Sequence, residues 1–326
     1  MHMTSQRGTT AWGYTLSSEE FPPRELVEQA HRAEDAGFDF LTVSDHFHPW
    51  IEEQGHSPFA WTTIGGVAAR TGSVNVGTGV TCPIMRYHPA IVAQAAASAA
   101  SILGGERFFL GVGTGELLNE HIIGDAWPPI EVRLDMLTEA VVVMRKLWTG
   151  ETVDHHGDHF TVDNARLFTV ADYDIPVIWA ASGTESAKVA AHYADGLWST
   201  SPDPEVIDAY RSAGGLGPVY GQITVCYDRD VDTAVQTALR VWPNAGMPGQ
   251  LAQDLPTWTH FESVAELVTA EHVTKRVPCG PDPDPIVEVV EEYTKAGFDH
   301  IHFHQVGRDQ QAFLNFWSST LLAALS

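Results

Sequence analysis

"HRAEDAGFDFLTVSDH", residues 31–46, compresses a helix end, a turn and a strand into one short run, and the same order recurs twice. His31 to Asp35 carry a helical pattern, Gly37 can take the left-handed conformation that closes a helix, and Phe40-Leu41-Thr42-Val43 form a compact apolar strand. "AAHYADGLWSTS" (190–201) and "EYTKAGFDHIHFHQ" (292–305) repeat the pattern, with Gly196 and Gly297 at the junction. An unbroken apolar strand following a helix suits a parallel sheet covered on both faces.

Working outward, further strands are expected over Trp12–Leu16, Val74–Val80, Arg107–Gly111, Val177–Ala180, Gln222–Tyr227 and Thr274–Val277. Helical periodicity falls between them, over Pro22–Ala36, Phe59–Thr71, Ala90–Ser101, Arg133–Trp148, Glu185–His192, Val206–Ser212, Thr233–Val241 and Pro285–Ala296. About eight such units imply right-handed βαβ connections closing into a (β/α)8 TIM barrel. An open dinucleotide-binding sheet is the competitor, but "GVGTGE" (111–116) runs into Leu117-Leu118-Asn119-Glu120 without the third glycine of that fingerprint. Residues 1–326 are read as a single barrel domain with insertions near 148–168 and 242–270. The first of these looks like a hairpin turning at His156-Gly157-Asp158, and the second opens with the Pro/Gly-punctuated loop 242–261.

Eighteen basic residues against 42 acidic ones give a net charge of -24, which repels phosphate backbones and anionic headgroups and so argues against nucleic-acid and membrane-surface partners. Cys82, Cys226 and Cys279 lack C-x-x-C spacing and are odd in number, as in a reducing cytoplasm. No apolar stretch is long enough to span a bilayer, and "MHMTSQRGTTAWGY" lacks the pattern of a secretory leader. The expectation is a soluble cytoplasmic protein acting on a small molecule.

In a barrel of this kind, the C-terminal ends of the strands converge on the active site. The candidate residues are therefore Asp45-His46, Gly79 through Cys82, Gly113 to Glu116, Ala181-Ser182-Gly183 and Ser199-Thr200-Ser201. His46 can accept a proton near neutral pH, or it can tie down a loop. Glu116, at a glycine-rich strand exit, is either a partly desolvated acid or the N-cap of the following helix. "AASGTES" (180–186) offers helix N-terminal N–H groups to a phosphate, or caps a tight turn. The histidines of "HHGDH" (155–159) and "HIHFH" (300–304) lack the spacing of a preorganised metal site, and no metal is expected.

"VSDHFHPW" (43–50), "GTGVTCPIMRYHPAIVAQ" (77–94), "FFLGVGTGELLNE" (108–120), "VIWAASG" (177–183), "DGLWSTS" (195–201) and "TKRVPCGPDPD" (274–284), in that order, resemble the glucose-6-phosphate dehydrogenase group that uses the deazaflavin coenzyme F420, within the luciferase-like barrel superfamily. The resemblance implies that His46 is the base taking the substrate hydroxyl proton and that Glu116 is the acid protonating the deazaflavin ring nitrogen. It also implies that Trp50 holds the reacting substrate. Asp45, a cis peptide at Gly79-Val80, Cys82, Asn119, Ala181, Ser182, Gly183 and Thr200 would contact the cofactor, with 182–183 near its phosphate. A homodimer is implied as well. Of the three cations that hold the sugar phosphate in that group, two positions become Asp203 and Ala252, leaving Arg276 as the candidate substrate-binding residue. Glucose 6-phosphate is therefore not expected as substrate, and an F420-dependent alcohol or carbonyl oxidoreductase is. The alternatives are an FMN-dependent luciferase-like monooxygenase and a non-catalytic F420- or flavin-binding protein.

Overall fold

In the computed structural model, residues 10–247, 249 and 251–325 are described, so the opening residues, Ser326, and Pro248 and Gln250 of the 242–261 loop lie outside the described residues. Among the described residues ten strands follow one another: β1 (Ala11–Leu16), β2 (Phe40–Val43), β3 (Asn75–Thr78), β4 (Phe108–Val112), β5 (Val153–His156), β6 (Thr161–Ala165), β7 (Val177–Ala180), β8 (Gly196–Ser199), β9 (Val219–Val225) and β10 (His300–Gln305). Eight close into a barrel in the order β1-β10-β9-β8-β7-β4-β3-β2, every pairing parallel. The fold is a (β/α)8 TIM barrel. Strands β5 and β6 form the antiparallel hairpin expected at 148–168 and stand apart from the barrel.

The apolar run of β2 is buried at all four positions, with Leu41 in register with Tyr14 of β1 and Val76 of β3. Inside the barrel Phe40, Phe109, Ile178, Trp198 and Tyr220 form a plug. Tyr220 meets Phe40 edge-on at 5.3 Å and stacks with Trp198 at 5.7 Å. Each such ring stabilises the fold by roughly 2–3 kcal/mol on burial, and Trp198 gives the plug a flat upper face.

Two of the three junction glycines behave as their sequence suggests: Gly37 and Gly297 take φ of 86° and 102° just past their helices. Gly196 does not. The helix Thr184–Tyr193 ends on the extended Ala194, and Gly196 lies within β8, where a Cβ would sit 2.8 Å from the Pro218 carbonyl oxygen. Its glycine is required by close strand approach rather than by a left-handed turn.

The strand expected at Thr274–Val277 is instead the end of a helix, Ala270–Thr274, and the turn that follows it; the helix is opened by a capping box between Thr269 and His272. Val273 and Val277, one helical turn apart, both bury in a second apolar core that holds Trp50, Leu118, Trp242, Met247 and Phe261. This core draws together the β2 exit and the 242–270 segment. Among the described residues no helix is long and apolar enough to cross a membrane.

Candidate active site

β2 ends at Val43, and the chain then turns through Asp45 and His46 under tight control. Asp45 is buried, its Oδ2 accepting from Thr81 Oγ1 at 2.7 Å and its Oδ1 from Arg86 Nη2 and Tyr87 OH, both at 3.1 Å. Its carboxylate thus anchors the turn to the exit of β3 while the residue borders the cavity. The backbone N–H groups of Phe47 and His48 both donate to Asn119 Oδ1, at 2.8 and 3.2 Å. The other end of the same amide, Asn119 Nδ2, donates to Glu116 Oε2 at 3.1 Å. One buried asparagine therefore fixes the base loop and the acid together.

His46 Nε2 lies 3.4 Å from Glu116 Oε2. Its Nδ1 lies 3.3 Å from the His48 carbonyl and 3.5 Å from Glu19 Oε1. The Trp50 ring covers the imidazole at a centroid distance of 5.0 Å and is itself braced edge-on by Phe261. Glu116 occupies the N-cap position of the short helix Leu117–Glu120 but makes no capping hydrogen bond, so the capping alternative fails. Its carboxyl is instead raised to about 7, first by burial, with the Glu19 and Glu120 carboxylates adding to the shift and His46 and Asn119 opposing it.

These groups share a cavity of about 710 Å³ at the C-terminal mouth of the barrel. Gly79, Val80, Cys82, Asn119, Ala181, Ser182, Gly183 and Thr200 all border it, and the Gly79–Val80 peptide is cis. A Cβ on Gly79 would meet the Trp198 ring at 2.8 Å, and one on Gly113 would meet Val80 at 2.9 Å. The absence of side chains there leaves a flat apolar floor suited to a planar ring. At one end Gly183 begins the helix Thr184–Tyr193 without a side-chain cap, leaving its first N–H groups for an anion. The residues present therefore fit a phosphate-bearing heterocycle.

Arg276 departs from expectation. It is exposed on the turn after Ala270–Thr274 and does not border the cavity, because its neighbours Val273 and Val277 take the buried face. Nor does it pair with Asp203 or Asp282 among the described residues: Asp203 caps the helix Pro204–Ser212 through the Glu205 N–H, and Asp282 accepts from the Asp284 N–H.

Several bordering residues are not evident from the sequence. Glu19 leaves β1 just as Asp45 leaves β2, so the strand-exit rule applied to Ser17-Ser18-Glu19-Glu20 would have found it. Its Oε2 accepts from Ser17 Oγ at 3.0 Å and Ser44 Oγ at 2.8 Å. Gln222 and His304 reach the cavity from within strands, and Trp242 covers His304 at 4.3 Å. His304 Nε2 lies 3.1 Å from Glu20 Oε1.

Residues 3–300 match the family model described as luciferase-like monooxygenase. The chain is 38% identical over 318 residues to the F420-dependent glucose-6-phosphate dehydrogenase of Tsukamurella paurometabola, spanning 93% of this chain and 94% of that one. It is 37% identical over 329 residues to the enzyme of the same name from Mycobacterium tuberculosis, spanning 96% and 97%. Among solved structures, an F420-dependent secondary alcohol dehydrogenase in complex with an F420-acetone adduct superposes with a TM-score of 0.89 at 32% identity, over 98% of this chain and 99% of that one. A coenzyme F420 dependent tetrahydromethanopterin reductase from Methanopyrus kandleri shares the fold, with a TM-score of 0.79 at 20% identity, over 98% and 100%.

Proposed function

The chain belongs to the luciferase-like monooxygenase family and is an F420-dependent oxidoreductase, and from that premise we propose that it moves a hydride between a neutral alcohol and the deazaflavin, or back to the matching carbonyl. The observation that carries the choice of substrate is the cavity wall. Glu19, Asp45, Glu116, Glu120, Glu131 and Glu185 border it, and among the described residues no lysine or arginine does. Arg86, behind the wall, compensates Asp45 at 3.1 Å and Glu120 at 3.6 Å, so among the described residues no free lysine or arginine remains at the cavity for a sugar phosphate. A dianion there would meet repulsion on the order of kcal/mol per charge pair. Asp203 and the exposed Arg276 do nothing to offset it.

The bound deazaflavin supplies a ring carbon that accepts or returns a hydride. His46 Nε2 takes the hydroxyl proton, its Nδ1 held toward the His48 carbonyl and Glu19. Glu116, whose carboxyl burial raises to about 7, would be the donor to the ring nitrogen. Trp50 packs on the imidazole and excludes water from it. The Gly79–Val80 floor, Cys82 and Asn119 border the ring site, while Ala181, Ser182, Gly183 and Thr200 border the phosphate end. Asp45 supports this floor from below rather than by a free carboxylate. We also read the protein as cytoplasmic, in keeping with three free thiols, and as a homodimer by its likeness to that dehydrogenase group.

The test is titration of the purified protein with oxidised F420, FMN and FAD, followed by deazaflavin absorbance as secondary alcohols, unphosphorylated sugars and glucose 6-phosphate are added. Tight F420 binding with bleaching by a neutral alcohol is expected. Preference for FMN, binding without turnover, or turnover of glucose 6-phosphate alone would each overturn a different part of the reading.

A further inference from the structure

We propose that His46 and Glu116 hand a proton directly to each other, so that the proton taken from one substrate molecule restores the acid for the next without passing through solvent. The proposal rests on the assignment of His46 as base and Glu116 as acid and adds a path between them.

Among the described residues Nδ1 of His46 has only acceptors beside it, the His48 carbonyl at 3.3 Å and Glu19 Oε1 at 3.5 Å, while Glu19 Oε2 is occupied by the hydroxyls of Ser17 and Ser44. Nδ1 therefore keeps its hydrogen in either charge state, and the neutral ring has its lone pair on Nε2. Nε2 lies 3.4 Å from Glu116 Oε2. One proton then has two resting places of equal net charge. It sits on Oε2 beside a neutral imidazole, or on Nε2 beside a carboxylate.

Asn119 Nδ2 donates to the same Oε2 and, being pinned through Oδ1 to Phe47 and His48, holds that oxygen toward the ring. The other ionisable groups acting on Glu116 are the carboxylates of Glu19 and Glu120, and Glu19 also lies 3.5 Å from His46 Nδ1. Burial lifts the Glu116 carboxyl to about 7, so it can hold or release a proton near neutral pH. A heavy-atom gap of 3.4 Å is slightly longer than a transfer distance, as ligand-free catalytic contacts commonly are.

The protons balance over a turnover. As the substrate C–H hydride goes to the deazaflavin, His46 Nε2 gains the hydroxyl proton and Glu116 Oε2 gives one up, leaving an imidazolium facing a carboxylate. The Nε2–H bond then breaks as the Oε2–H bond forms, and both side chains return to their starting state. Substrate has lost a hydride and a proton, cofactor has gained both, and the protein is unchanged.

The decisive readout is NMR titration of the cofactor-free, full-length protein labelled in histidine and glutamate side chains, with His46 assigned from a His46→Gln spectrum. The His46 ring and the Glu116 carboxyl should report the same two steps, as strongly interacting sites do. Glu116→Gln should collapse the His46 curve to one step and move its midpoint by about one pH unit. Glu116→Asp, which withdraws the carboxyl by one methylene, should narrow the two steps and serves if the glutamine variant does not fold. A His46 curve identical in wild type and in whichever variant folds overturns the proposal. If His46→Ala is inactive while the titrations are independent, only the proton path fails; if His46→Ala keeps turnover, the base assignment fails and the path with it.

Discussion

His46 Nε2 stands 3.4 Å from Glu116 Oε2, a contact made by two residues that leave different strands of the barrel, and one Asn119 side chain holds Glu116 by one end and the Phe47-His48 backbone after His46 by the other. The base and the acid of the proposed hydride transfer thus form a single positioned unit.

His46→Ala is expected to lower turnover by about 10²- to 10⁴-fold while F420 affinity changes less than about threefold, since general-base removal costs that order and the ring borders the cofactor site without supplying its floor. Steady-state rates beside a fluorescence titration check this. Parallel loss of binding would assign His46 a structural role.

Asn119→Ala should unhook the Phe47 and His48 N–H groups and the Glu116 carboxyl at once. Leaving buried donors unpaired costs about 1–3 kcal/mol, visible as a lower Tm, and kcat should fall more than KM rises. Unchanged kcat would remove Asn119 from the positioning role.

Glu116 titrates near 7 in the folded chain against about 4.5 when unfolded, so the folded state holds the extra proton between those values. Stability conferred by this group is full at low pH and falls as pH rises from about 4.5 through 7, by at most about 3 kcal/mol. Glu116→Gln should flatten that decline, seen as a Tm gain over wild type that is larger at pH 8 than at pH 5. Equal gains at both would mean that the carboxyl is not held protonated.

Glu34 works in the opposite sense. Its Oε1 accepts from the N–H groups of Gly72, Ser73 and Val74 and from Ser73 Oγ, tying the end of one helix to the entry of β3. Burial would raise its carboxyl, but these donors outweigh it and hold the group at about 2. The stability it confers is present above about 4.5 and lost as pH falls toward 2. Glu34→Ala should cost about 2 kcal/mol at pH 7 and much less at pH 3 by denaturant unfolding; a pH-independent cost would contradict the assignment.

The barrel is legible in the sequence because strands covered on both faces read as unbroken apolar runs, and Phe40–Val43 is buried at every position. Exits of β2, β3, β4, β7 and β8 are legible for the same reason, since chemistry-bearing residues directly follow those runs. Arg276 misleads because the short run Thr274-Lys275-Arg276-Val277 fits the end of a helix and its turn as well as a strand, and only the second core around Trp50, Trp242 and Phe261, which buries Val273 and Val277, decides between them. Gln222 and His304 are hidden because they lie inside strands, where alternation alone does not tell which face opens into a cavity. His302 shows the other outcome. Burial and the neighbouring His304 lower it to about 3, and its Nδ1 is 2.7 Å from Thr15 Oγ1, so it is a neutral core histidine.

The central claim is that this pair serves hydride transfer from an uncharged substrate to a deazaflavin. Stopped-flow mixing of F420-loaded protein with a secondary alcohol tests it most directly, by following deazaflavin absorbance for wild type, His46→Ala and Glu116→Gln. Rapid bleaching in the wild type, slowed by at least 10²-fold in both variants, is the predicted result. Bleaching at wild-type rate in either variant, or none in the wild type with any neutral alcohol or ketone pair, would contradict it.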